Sequence, residues 1–108
     1  MRALFAFVLM ISILVWLTPA FAADAAAGKA VFAKKCASCH GPTGDGNETI
    51  AKAMKVELRP LGSKEVQANM DAELKKIILE GKDKMKPVKD IDSKSADDVV
   101  AFVRTLKK

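Results

Sequence analysis

The residues with the most definite chemistry are Cys36-Ala37-Ser38-Cys39-His40. They form C-x-x-C-H, the spacing of covalent c-type haem attachment. Two thiols separated by two residues can each add to a vinyl group of one porphyrin, giving two thioethers. The residue that follows can then offer its imidazole to the iron as proximal ligand. His40 is the only histidine of the chain, and Cys36 and Cys39 are the only cysteines, so nothing competes for these roles. Other chemistries use parts of the pattern. A thioredoxin-like redox pair needs a βαβ setting, and the sequence shows none. A closed structural zinc site needs four ligands, more than two cysteines and one histidine supply. A plain disulfide would leave the adjacent histidine without a purpose.

A histidine-bound iron has one further axial position, and its occupant decides between two kinds of function. An open site binds gases or peroxide; a strong protein ligand closes the iron and leaves electron transfer. With no second histidine, the candidates are methionine and lysine. Met54, Met70 and Met85 follow the N-terminal apolar segment, and Met10 lies within it. Met54 falls on the apolar side of a short helical pattern and Met70 borders the next helix, so both read as core filler. Met85 instead lies in a stretch with no amphipathic pattern, between Lys84 and Lys86, and far enough from His40 to reach the opposite haem face. Met85 is the expected ligand. A thioether is soft, favours ferrous iron and raises the potential relative to a second imidazole.

The elements that must position these groups read as helices. Residues 24–35 form a first helix with Asp24 as N-cap and Ala27, Val31 and Phe32 on one side. Gly28 interrupts it at a cost of about 1 kcal/mol against Ala, tolerated or placed for close approach of another backbone. Residues 41–47 carry three glycines and a proline, which marks a loop. Its expected role is to let backbone pass the haem edge without side-chain bulk. Residues 48–56 form a short amphipathic helix with Ile50, Ala53 and Met54 inward, and 58–62 a turn around Pro60. Ser63 caps one helical turn over 63–67. Residues 71–80 are a clearer helix with Leu74, Ile77 and Ile78 at i, i+3 and i+4, ended by Gly81. The last helix shows an S-x-x-D capping box at Ser95 and Asp98, then Val99, Phe102, Val103 and Leu106 as its stripe. No strand pattern is convincing, and the fold class is all-α.

The first residues are different in kind. Arg2, the apolar run over 3–17 and Ala20-Phe21-Ala22 match an export leader with cleavage after Ala22, so residues 1–22 are expected to be a signal peptide and 23–108 a single domain. An uncleaved anchor is the alternative, and it would need about 20 apolar residues. A domain this small commonly needs a staple, metal or cofactor; two cysteines spent on haem leave none for a disulfide. The formal net charge is +5. The excess is lysine without interleaved aromatics, which argues against nucleic acid and suits an acidic protein partner.

From Gly28 onward the chain resembles the small class I cytochromes c of bacteria. The likeness rests on Gly28 and Phe32, the Cys36 to His40 motif, the glycine loop, Gly81-Lys82-Asp83-Lys84-Met85, and Val99 with Phe102. It implies the cytochrome c fold, with three main helices plus short helical turns wrapped around one covalent haem c. It also implies that the first and last helices cross at Gly28, with Phe32, Val99 and Phe102 around the contact. A proline carbonyl in such proteins commonly accepts the ring N–H of the proximal histidine; Pro60 is the best match for that role toward His40. The implied function is that of a periplasmic, monomeric single-electron carrier rather than an enzyme, with His40 and Met85 on the iron. Lys82, Lys84, Lys86 and Lys89 would steer acidic redox partners. It would meet the membrane only through respiratory complexes or a retained N-terminal segment. Two other functions stay open: a haem sensor or peroxidase with a displaceable Met85, and a haem subunit of a larger oxidoreductase.

Overall fold

The structure, a computed structural model, describes residues 22–108. The leader expected over 1–22 lies outside them apart from Ala22. Six helices follow in order: α1 (Ala25–Lys35), α2 (Ala37–His40), α3 (Glu48–Met54), α4 (Lys64–Gln67), α5 (Asp71–Glu80) and α6 (Ser93–Thr105). The described residues contain no strand, only an isolated bridge pairing Lys82 with Met85. No helix among them is long and apolar enough to cross a membrane.

The core lies between α1 and α6, the two ends of the described chain, with α5 packed on α6. Phe32 and Val99 are its largest fully buried side chains, joined by Ala96, Val100, Phe102, Val103, Leu74 and Ile78. Phe32 and Phe102 meet with ring centroids 5.0 Å apart and planes tilted by 55°, within the range favoured by aromatic quadrupoles. Gly28 is where the helices touch. A Cβ there would collide with the Asp98 carbonyl and lie 2.9 Å from the Val99 nitrogen, so the close approach expected at this glycine is real. The absence of a side chain at Gly28 is what lets the Phe32 and Phe102 rings reach one another.

The helix starts follow local chemistry. Asp24 caps α1, accepting from the Ala26 and Ala27 N–H groups at 2.9 and 3.1 Å. Asn47 caps α3 and Ser63 caps α4. The start of α6 differs from expectation: its cap is Asp92, which accepts the Ser95 N–H at 2.7 Å. Ser95 therefore lies inside the first turn, and Asp98 is no part of a capping box. The Asp92-x-x-Ser95 spacing supplies the same side-chain acceptor three residues earlier, and that freed Asp98 for a tertiary role. Its carboxylate is buried, 4% exposed, and accepts the Asp24 N–H at 2.8 Å and the Lys94 ammonium at 3.0 Å.

Behind α2, the chain over 41–47 folds back on the helix it has just left. The Gly46 and Asn47 N–H groups bond the His40 and Cys39 carbonyls at 2.7 and 2.9 Å, satisfying acceptors that a helix end leaves open. The end of α6 closes over this region, with Leu106 against Gly44 and the Lys108 N–H on the Gly62 carbonyl at 3.1 Å. Arg104 adds a further tie. Its guanidinium donates to the Gln67 carbonyl at 2.9 Å, to the Asn69 carbonyl and to the Asp71 carboxylate at 2.9 Å.

Candidate haem site

α2 is a single turn, begun at Cys36 and ended at Gly41, and it delivers Cys36, Cys39 and His40 to one place. Both thiols are free. Burial pushes the Cys36 thiol above its ordinary pKa, offset in part by the nearby Lys35 and reinforced by Cys39. Burial pushes His40 downward, which favours the neutral imidazole that a metal takes. The His40 Nδ1 is buried and has no hydrogen-bond partner.

All three residues open onto a cavity of about 930 Å³, which continues into a second lobe of about 480 Å³. Cys36, His40, Ile77, Lys82, Asp83 and Met85 border both lobes, so the two form one slot with shared walls. Met54, Val56 and Leu58 line the larger lobe only; Arg59, Leu61 and the core residues Phe32, Val99 and Val103 line the smaller. The slot thus has the motif on one wall and the 82–89 loop on another.

That loop is shaped by two backbone features. The Lys82 N–H bonds the Met85 carbonyl and the Met85 N–H bonds the Lys82 carbonyl, both at 2.9 Å, closing a tight turn with Asp83 at φ +51°. Gly81, at φ +78°, leads into it; a Cβ there would collide with the Met85 carbonyl and come within 2.9 Å of Pro87. Glycine alone allows the chain to double back so closely after α5, and the doubling back turns Met85 toward the slot.

Residues 23–103 match the family described as cytochrome c oxidase, cbb3-type, subunit III. The chain belongs to that family. The solved structure of the KustC0563 c-type cytochrome is similar to it, with a TM-score of 0.64 and 26% identity over 75% of this chain and 98% of that one. No curated protein matches the chain. As a small cytochrome c it is an electron-transfer protein rather than an enzyme, and its cofactor is covalently bound haem c with its iron. The residues fit that group: two free thiols at the required spacing, a buried imidazole beside them whose Nδ1 has no hydrogen-bond partner, and an apolar slot large enough for a cofactor.

Among the methionines the cytochrome differs from the core-filler expectation. Met70 is 65% exposed, ahead of α5, and touches neither lobe; Met54 is 37% exposed and lines the larger lobe. Neither is core: Met70 stands in the open ahead of α5, and α3 has no buried residue, with Met54 alone of its expected apolar side lining the slot. The glycine loop also has another reason than the one expected. None of its residues lines the slot; Gly44 lies under Leu61 and Leu106 instead. The Pro60 carbonyl accepts the Ser63 N–H at 3.0 Å, and no bond joins it to His40. Sequence reasoning passed over Val56, Leu58 and Ile77 as slot residues. No sequence signal set them apart: Val56 and Leu58 follow the end of a helical pattern, and Ile77 shares its stripe with the core residues Leu74 and Ile78.

Proposed function

We propose that this cytochrome is an exported single-electron carrier in which His40 and Met85 occupy the two axial positions of the iron. The observation that carries the ligand assignment is the slot itself. Met85 borders both lobes together with His40, whereas Met54 borders one and Met70 none. Cys36 and Cys39 would hold the porphyrin by thioethers. The haem supplies an iron that cycles between ferric and ferrous states. The chain keeps the site dry with Ile77, Val56 and Leu58, and holds a thioether and an imidazole in place so that neither oxidation state gains or loses a ligand. The Pro60 carbonyl, with room for a second hydrogen bond, is the proposed acceptor for the His40 ring N–H.

Ferric protein should show the weak far-red band of a thioether-bound iron. Met85→Ala should abolish it, while Met54→Ala and Met70→Ala should leave it intact. A wild type without the band, whose ferrous form binds carbon monoxide readily, would be the sensor or peroxidase instead.

The export reading is supported by the leader pattern, by the family match beginning at residue 23, and by the extracytoplasmic setting typical of c-type cytochromes. Mass spectrometry of the protein from its host should find an N-terminus at Ala23. Lys82, Lys84, Lys86 and Lys89 ring the larger lobe, all exposed and none in an ion pair among the described residues. They are the proposed docking surface for acidic redox partners of a monomeric carrier. The electron-transfer rate with such a partner should fall as salt rises; a flat profile removes the lysines from the account.

The family description favours a second reading, a haem subunit of a membrane oxidoreductase. Stoichiometric co-purification with a membrane complex after mild detergent would support it over the free carrier.

A further inference from the structure

α3 is tied to the rest of the chain in an unusual way. It buries no residue, so packing does not hold it. Its N-terminal end is joined to the motif: Asn47 bonds the Cys39 carbonyl through its backbone and the Ser38 carbonyl through its side chain, at 2.9 and 3.3 Å. At its C-terminal end Lys55 turns the chain away at φ +54°. There the Met54 carbonyl accepts the Lys84 ammonium at 2.8 Å, a favourable place for a cation because the C-terminal end of a helix carries partial negative charge. Lys84 belongs to the tight turn that presents Met85, and Lys84, Met54 and Met85 all border the larger lobe. At the other end of the same loop, the Lys35 ammonium at the end of α1 holds the Lys89 carbonyl at 2.9 Å.

We infer that Lys84 is a positioning residue for Met85: its bond to the Met54 carbonyl clasps the Met85 turn to α3 across the mouth of the slot. This rests on Met85 being the axial ligand. The chain around the slot is then continuous, from His40 through α3 to Lys84 and Met85, and the clasp is the link that closes it. Lys86, in the same loop and of the same charge, makes no comparable bond among the described residues; charge alone does not distinguish the two.

The test is a titration of ferric holoprotein with imidazole, which competes with Met85, read as loss of the far-red band. Lys84→Ala should lower the half-saturating imidazole concentration roughly fivefold, the worth of one modest hydrogen bond. Lys84→Arg, which keeps a cationic donor, should restore it to within about twofold, and Lys86→Ala should match wild type. Denaturant unfolding of each variant serves as the second readout, and Lys84→Ala should lower the folding equilibrium constant by no more than that same factor, since the clasp is broken in the unfolded chain as well. The inference is overturned if Lys84→Ala titrates like wild type, if Lys86→Ala shifts as far, if Lys84→Arg fails to restore the titration, or if unfolding is weakened by far more than the imidazole shift. A wild type without the far-red band sinks the Met85 assignment itself, and this inference with it; a band present and insensitive to Lys84→Ala sinks the clasp alone.

Discussion

The α1–α6 pair and the region from α3 to the 82–89 loop are built on opposite principles. The terminal helices bury Phe32, Val99, Phe102 and Val103 against each other, with backbone meeting backbone at Gly28. That half is complete as polypeptide. In the other half α3 buries nothing, Met54 is exposed, and Val56, Leu58, Ile77 and Met85 face a slot. Among the described residues its apolar surface has no protein partner, and haem c is the partner proposed for it. The difference separates two meanings of an apolar residue: one that packs on its own chain, and one that waits for a cofactor.

The strongest way to break this comparison is to prevent attachment. With Cys36→Ala and Cys39→Ala together, amide exchange protection should vanish across 41–58 and 81–89, while any residual protection concentrates in α1 and α6. Uniform loss, or retained protection in α3, would mean that the halves are not distinct. Attack on the other half should look different. Phe102→Ala should lower global stability by about 3–5 kcal/mol, as expected for a buried aromatic truncated in a packed core. The far-red band of the fraction still folded should be unchanged, as checked by denaturant titration followed at that wavelength.

Much of the first half was legible in the sequence. The period of Val99, Phe102, Val103 and Leu106 defines a face, and the resemblance to class I cytochromes c turned Gly28, ambiguous on its own, into a contact with the last helix. The second half was legible only in its reactive groups. Cys36, Cys39 and His40 announce their chemistry by spacing, and Met85 by lying where no helix needs it. The residues that line the slot could not be told from core residues, because periodicity reports that a side chain is sheltered and is silent on what shelters it. Met54 shows this plainly: the pattern that put it on an apolar face was correct, and the face had no helix to meet.

A smaller effect sharpens the reading of α6. Asp92→Ala should cost about 1 kcal/mol in thermal or chemical unfolding, as an N-cap does, whereas Ser95→Ala should be nearly neutral. The reverse ranking would restore the capping box at Ser95 and Asp98. The smallest effect concerns pH. The Asp98 carboxyl is held below the usual range, first by the Asp24 N–H and then by Lys94, with Asp92 the other nearby carboxylate. Its contribution to stability is therefore complete above its unfolded pKa of about 3.9 and is lost as pH falls through the lower folded value. Asp98→Asn should flatten that part of the acid unfolding curve and leave neutral-pH spectra of the haem unaltered.

The contact at Gly28 has one more consequence. It joins opposite ends of the described chain, and every proposed haem-holding residue, from Cys36 to Met85, lies on the loop it closes. The slot is thus drawn shut like the neck of a bag. A pulling force on the N-terminal end of the described chain must part Gly28 from Asp98 before it can peel the Cys36 to His40 motif from its cofactor. Resistance to unravelling is set at a point that never touches the haem.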